Sequence, residues 1–513
     1  MSSQRQVSGR RPAPAAVDRT ASRREVLATL GTGMAGAVLS SSAAGAAESS
    51  APSPAASETP RSAAQPAGSY DVVVAGGGIA GVAAATAAAR AGARVGLVEM
   101  QPFAGGVTTA GMEPSMCNFF HNTRGELLVG GRPLELVERL VKLGAAHKNW
   151  DQHRGHIVFD VELGKLVMDR MLEDAGVNIL YNTTVIGAVL EGNRLAGLRI
   201  ANRSGNQVVT AKCTVDATGD ADVAHWAGAP LHVGRGQMPH SFLFRLGNVD
   251  LDALYEYFKQ NPAEYVAESD INLTHDEGMR FYEDTGILYI HHHGKKLRKI
   301  LDAALQRNEY ADSFGPFQHT TAFQMHGIRW NRTLVVNTGY FRLAEPGGRA
   351  LSDYVRHGRK LAHHVAAFLR KSLPGCKDSF VAATANAPGI RRTRWLKTDF
   401  TMTRQIYDSA PRFDDAVGRG VVVTAGKLYR TDRMFDVPLR CLLPQKIDGL
   451  LIGSGRSASA DQAEMLRVQP ATMIVGQGAG VTAAVCARDG VEPRSVDVRA
   501  VREALAQQGV DLS

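Results

Sequence analysis

The stretch Tyr70-Asp71-Val72-Val73-Val74-Ala75-Gly76-Gly77-Gly78-Ile79-Ala80-Gly81, followed by an Ala-rich run and then by Ala93-Arg94-Val95-Gly96-Leu97-Val98-Glu99, decides the fold. Asp71 to Ala75 is a short β-branched run suited to a buried parallel strand. Ile79 to Ala91 is rich in the strongest helix former, so the glycines fall at a strand-to-helix turn. Gly76 permits the tight turn, Gly78 lets a pyrophosphate approach the backbone, and Gly81 lets the helix pack closely on the strand. Ile79 and Ala80 open that helix, whose first-turn N–H groups suit a phosphate. A second strand ends in Glu99, about twenty residues on, where a carboxylate accepts hydrogen bonds from an adenosine ribose. An acid at that point argues against a 2′-phosphate.

Working outward, 513 residues are too many for one small domain and suggest two folded units plus tails. The formal net charge is +8, but residues 1–46 hold six Arg against Asp18 and Glu25, and without them the balance is +4. No nucleic-acid partner is inferred from so modest an excess. Five cysteines, at 117, 213, 376, 441 and 486, are widely spaced and form no C-x-x-C, so neither a zinc site nor a thiol relay is indicated and packing is their expected role.

At the N-terminus, Ser22-Arg23-Arg24-Glu25-Val26-Leu27 precedes an uncharged stretch of Ala, Gly, Ser and Thr and then Ala44-Gly45-Ala46, a small-residue cleavage pattern. This is similar to a twin-arginine export signal over residues 1–46, which places the mature protein in the periplasm or outside the cell. Gly and Ser dilute the segment too much for a stable membrane span. Residues 47–69, rich in Ala, Ser and Pro, read as a disordered linker.

Beyond Glu99, Gly105-Gly106 and Thr108-Thr109 lie in a loop whose backbone can come close to a bound ring. The order of fingerprint, Glu and Gly-Gly-x-Thr-Thr resembles the FAD-dependent oxidoreductases of the two-dinucleotide-binding-domain flavoproteins. In them the Gly-Gly loop runs beside the FAD pyrophosphate and isoalloxazine. Where those proteins often carry Arg just before the glycines, Gln101-Pro102-Phe103 stands here, so only the backbone contacts to phosphate carry over. Helical patterns follow at Gly131 to Lys142 and Asp160 to Ala175. Asn178 to Tyr181, Val185 to Leu190 and Leu195 to Ile200 read as three short strands. By the resemblance they form a β-meander on the FAD domain, with Val185 near the adenine.

Val208 to Asp220 reads as a strand ending in Ala217-Thr218-Gly219-Asp220, which in the family returns the chain to the FAD near its adenosine. Asp220 is open to two readings, a cofactor contact or a cap for the following helix. The closing element runs from Ile447 through Gly453-Ser454-Gly455-Arg456 and Arg467-Val468-Gln469-Pro470 to Gly476-Gln477-Gly478-Ala479-Gly480. It resembles the family's C-terminal FAD motif, in which a helix N-terminus aimed at flavin N1 and O2 stabilises the reduced flavin. A plain nicotinamide enzyme has no use for this third glycine element, so the implied cofactor is FAD. Cys117 and His121 are the nearest candidates for a covalent link, but both lie beyond the Gly-Gly loop, and FAD is expected to be non-covalent.

The implied fold class is α/β: a Rossmann-like FAD-binding domain with a parallel sheet and β-meander, built from 70–233 and 431–490, with an inserted α+β substrate domain at 234–430 and a C-terminal tail or helix at 491–513. In the inserted part, adjacent His291-His292-His293 diverge too far to share one ion, and no metal is expected. His363-His364 falls on an amphipathic helix from Asp353 to Leu369, expected at the surface. His240, Arg245, His326 and Arg391-Arg392 flank apolar strands. Relatives often carry Glu-Ser ahead of such an Arg pair, whereas Pro388-Gly389-Ile390 precedes it here, so no role of that Glu transfers. His326, with His240 next, is the candidate base, and Arg391 or Arg392 the candidate fixed charge, although adjacent extended residues point apart.

These features imply an exported FAD-dependent dehydrogenase or oxidase that oxidises a small molecule by hydride transfer to flavin N5, with oxygen, a quinone or a cytochrome as electron acceptor. A fumarate-reductase-like reductase fed by a redox partner, and a non-redox flavin-binding lyase or structural protein, are the alternatives.

Overall fold

The computed structural model describes residues 65–117, 120–122, 124–152, 156–234, 239–266, 274–291, 297–343, 346–422 and 432–513. The expected export signal, the linker as far as residue 64, and His292 and His293 lie outside the described residues.

Val72 to Ala75 of the fingerprint become the centre of a sheet because each of these side chains is apolar and fully buried. Strand Gln65–Ala75 pairs in parallel with Val95–Val98 on one side and with Gly205–Asp216 on the other. Asn178–Leu180 extends the sheet in parallel beyond Val95–Val98, and Leu450–Ile452 adds in parallel to the end of Gly205–Asp216. This is the expected Rossmann-like parallel sheet.

Two boundaries differ from the sequence reading. The linker's last residues are strand, since Gln65 to Ser69 pair with Gln207 to Thr210. Asn178–Leu180 is not a meander strand, for its backbone groups are taken by Val95–Val98. The meander is Thr184–Glu191, Arg194–Asn202 and the first half of Gly205–Asp216, joined antiparallel. A three-residue strand carries no signal of its own about which edge it joins.

Helix Gln469–Asp489 is long and apolar enough to cross a bilayer, yet it is buried inside the fold. It lies against helix Ile79–Arg90, and the glycines explain how close. A Cβ added at Gly476 or Gly480 would lie 2.1 or 2.2 Å from the carbonyl oxygens of Ala80 and Ala84. Helix Val161–Asp174 starts where Asp160 accepts from the N–H groups of Glu162 and Leu163.

The second sheet is wholly antiparallel, in the order Ile287–Ile290, Gln324–Ile328, Thr333–Phe341, His240–Gly247, Phe380–Thr384. Helix Gly348–Ser372, longer at both ends than its sequence pattern, packs on it with Gly358 against the Phe242 ring. Each sheet has its own core. The first draws on residues from Val72 to Ala229 and from Leu396 to Leu512, the second on Met112 and on residues from Phe242 to Ala385. Cys213, Cys376, Cys441 and Cys486 are free and buried, as packing requires.

Candidate functional site

The fingerprint turn has the shape a phosphate needs. Gly76 has φ of +97°, and a Cβ at Gly81 would sit 1.9 Å from the Gly76 carbonyl oxygen. Helix Ile79–Arg90 begins at Gly78 with no side-chain cap and no acid in its first turn, which leaves its first N–H groups for an anion. Gly105 donates to the Gly77 carbonyl at 2.7 Å and bridges to Gly78, so the Gly-Gly loop lies directly over the turn. A Cβ at Gly106 would come within 2.9 Å of the Gly78 Cα. Thr108 is buried in the short 3₁₀ turn Gly106–Thr108 that follows.

Glu99 stands beside this turn with both oxygens engaged, Oε2 accepting from Gly77 N–H at 2.6 Å and Oε1 from Gln101 N–H at 2.7 Å. Burial raises its pKa, and these backbone donors oppose the rise. The carboxylate therefore holds the glycine loop, and each oxygen keeps a further lone pair. Thr183 donates to the Glu99 carbonyl, which brings Val185, two residues on, to the same end of the sheet.

The ends of the other parallel strands close the cradle. The cap, one of the two readings of Asp220, is supplied by Asp216, which accepts from Thr218 N–H, Thr218 Oγ1 and Ala224 N–H, while Thr218 Oγ1 accepts from Asp222 N–H. Asp220 instead accepts from Arg456 Nη2 at 2.7 Å and from Thr393 Oγ1 at 2.5 Å. Gly219, with φ of +88°, leaves room for the Arg456 guanidinium. Gly455 crosses close to Leu466, and its N–H donates to Thr472 Oγ1 at 2.9 Å. Gln469 opens the buried helix, whose N-terminus is again without a side-chain cap. Gly478 is placed differently from the other glycines of the expected set. It lies well inside that helix, and its missing Cβ makes room for the Val417 carbonyl, so it is a packing glycine.

The second sheet sends side chains toward the Gly-Gly loop. His326, fully buried on Gln324–Ile328, stacks on Tyr289 with ring centroids 5.3 Å apart. Its Nε2 lies 3.8 Å from Glu113 Oε1. Arg391 sits over the Tyr340 ring at 5.3 Å, and its charge acts on Glu113. Arg392 turns the other way, buried over Trp395 at 3.9 Å with Nη2 donating to the Ala460 carbonyl; burial lowers its pKa to about 9. His240 is engaged at both nitrogens, Nδ1 accepting from Arg391 N–H at 3.1 Å and Nε2 3.4 Å from the Leu343 carbonyl. Burial depresses its pKa to about 4, so it is a neutral strut for the Arg391 segment rather than a free base. Arg245 is drawn to Glu162 at 3.5 Å, away from this cluster. Among the described residues no cluster could hold a metal ion.

Sequence reasoning missed Glu113. Burial is the largest influence on its carboxyl, pushing the pKa up to about 7, while the Ser115 hydroxyl and the charges of Arg391 and Arg467 pull it down. The one available signal is its position before Pro114, which favours an extended residue, just after the Gly-Gly loop.

Two uncapped helix N-termini, a buried carboxylate beside the glycine turn and a third glycine element fit a flavin dinucleotide, and they define a flavoprotein of the dinucleotide-binding class. The chain belongs to the FAD dependent oxidoreductase family, which it matches over residues 71–505. FAD is accordingly its cofactor and oxidoreduction its chemistry.

A stretch of 189 residues is 29% identical to the NADH:fumarate oxidoreductase of Klebsiella pneumoniae (strain 342), covering 29% of this chain and 20% of that one. Another of 204 residues is 24% identical to the digeranylgeranylglycerophospholipid reductase of Thermoplasma volcanium, covering 37% of this chain and 50% of the relative. The chain thus spans between a fifth and a half of the length of these curated relatives. A geranylgeranyl bacteriochlorophyll reductase-like structure from Thermoplasma acidophilum overlays 86% of this chain and 84% of its own, at 13% identity and a TM-score of 0.40.

Proposed function

We infer that the protein is an exported dehydrogenase or oxidase that takes a hydride from a small organic substrate. Bound FAD supplies the two-electron acceptor at N5 and is held without a covalent link. The observation that carries the reading is the meeting of His326 and Arg391 at Glu113, one turn beyond the Gly-Gly loop. A C–H bond gives up hydride more readily when a neighbouring hydroxyl or amine loses its proton, and His326 is the group to take it. Arg391 offers a fixed charge to an anionic or polar substrate group. Arg392 and His240 hold the Arg391 segment in place. The FAD part is assigned to 70–233 and 431–490 and the substrate part to 234–430; the separate cores support this division as far as Ala385, whereas residues from Leu396 to Val422 pack into the first core. Ser22 to Leu27 and Ala44 to Ala46 support export by the twin-arginine route. Because nicotinamide cofactors are scarce outside the cytoplasm, oxygen, a quinone or a cytochrome is the electron acceptor we assign.

The test is anaerobic reduction of the FAD-loaded protein by a panel of hydroxy and amino compounds, followed at the flavin absorbance. Bleaching by one of them is expected, and His326→Ala should slow it by about 10²-fold with FAD still bound. A flavin that stays oxidised across the panel, yet is reduced by dithionite and reoxidised by fumarate, would favour a reductase. The similarity to the Klebsiella enzyme keeps that second reading in play.

A further inference from the structure

Glu113 stands where four segments meet. Its N–H donates to the Val107 carbonyl at 3.0 Å, which ties it to the Gly-Gly loop. Its carbonyl accepts from Gln469 Nε2 at 3.4 Å, at the first residue of the buried helix. Oε1 accepts from Ser115 Oγ at 2.7 Å and faces His326 Nε2, which comes from the antiparallel sheet. Among the described residues, Arg391, Arg467 and the Tyr340 hydroxyl also act on it. Four-fifths of the side chain is shielded from solvent, so little water competes for the carboxylate.

We propose that Glu113 is the positioning residue for His326, fixing which of its nitrogens carries a proton. With the Nε2–H directed at Glu113 Oε1, the lone pair is left on Nδ1, and Nδ1 accepts the proton that the substrate's hydroxyl or amine gives up. The resulting imidazolium, protonated on both nitrogens, is stabilised by the carboxylate it faces; when the proton leaves Nδ1, the starting tautomer returns. A separation of 3.8 Å is long for a hydrogen bond, and such contacts between base and orienting group tighten when substrate is bound. This is the logic by which a carboxylate orients an imidazole in acyl-transfer sites, reached here by a loop residue and a strand residue far apart in the chain.

The proposal rests on His326 as the base, and its test separates the two. FAD-loaded protein labelled with ¹⁵N-histidine is titrated by NMR, with the His326 ring assigned by its loss in His326→Gln. The Nε2–H tautomer is expected in the wild type. Glu113→Gln should move the ring's titration midpoint down by ~1 unit or more, as removal of an opposite charge within ~4–6 Å does. The same variant should lose about tenfold or more in the rate of flavin reduction, with an altered acid limb of the pH profile. Glu113→Asp, which keeps the charge but withdraws it by one methylene, should recover part of both, and it carries the test if Glu113→Gln fails to fold. A His326 ring that titrates as in the wild type in either variant overturns the pairing. Normal flavin reduction in His326→Ala overturns the base assignment instead.

Discussion

At the parallel sheet the groups on offer are backbone N–H groups, exposed by glycines of which Gly76, Gly78, Gly81, Gly105 and Gly106 fall in one short stretch of chain. At the antiparallel sheet they are side chains: Glu113 from the loop beneath, His326 from one strand, and Arg391 from the segment after another. The first kind of site is specified by what is missing, a Cβ, and the second by what is brought together. A flavoprotein can therefore keep its cofactor chemistry while its substrate changes, because the two sites draw on different residues and different cores.

The strongest way to break this division is to fill the glycine turn. A Cβ at Gly81 would meet the Gly76 carbonyl at 1.9 Å, so Gly81→Val should force the turn open. Purified protein should then carry no yellow flavin, an affinity loss beyond about 10²-fold, read by absorbance after desalting. The matching change in the other half is Gly358→Ala, whose new methyl would lie 2.4 Å from the Phe242 ring. It should cost about 1–3 kcal/mol of stability while FAD stays bound. Equal loss of flavin in both variants would show that the halves are not separable.

Glu99 sharpens the comparison, because it is a side chain working at the backbone-built site. Glu99→Ala removes charge-assisted hydrogen bonds of roughly 1.5–3 kcal/mol each. It also frees the Gly77 N–H from its 2.6 Å partner. FAD affinity measured by fluorescence titration should fall about ten- to a hundredfold, and an unchanged Kd would remove Glu99 from the ribose.

The same division governs what was legible in the sequence. The glycine register and Glu99 act over short spans, so their spacing carries their geometry. Asn178–Leu180 joins the parallel sheet because of the edge that Val95–Val98 offers, and nothing within three residues announces that edge. Gly478 has the look of a cofactor glycine, but Gly476, Gly478 and Gly480 all serve close packing of one helix against its neighbours. Glu113 acquires its meaning from His326, far along the chain, and a lone Glu before a Pro does not show which side chain will face it. Arg391 and Arg392 divide as extended neighbours must, one toward Tyr340 and one onto Trp395.

The remaining effect concerns pH, and it tests whether the antiparallel half is tuned by burial. His240 is fully buried with its pKa depressed to about 4, so the folded state resists a proton that the unfolded chain accepts near pH 6.5. Its contribution to stability is complete above pH 6.5 and is lost as the pH falls toward 4, by up to about 3 kcal/mol. Glu113 has the opposite sign. Its carboxyl, raised to about 7, stabilises the fold when protonated, and that contribution is lost as the pH rises from about 4.5 through 7. Denaturant melts of the FAD-loaded protein between pH 4 and 8 should therefore show a sloping acid side that flattens in His240→Asn. A sloping neutral side should flatten in Glu113→Gln. Because the variants act on different limbs, their effects on the midpoint should not substitute for one another. An acid limb that keeps its slope in His240→Asn would mean that another buried group carries it, and that His240 holds the Arg391 segment without sensing pH.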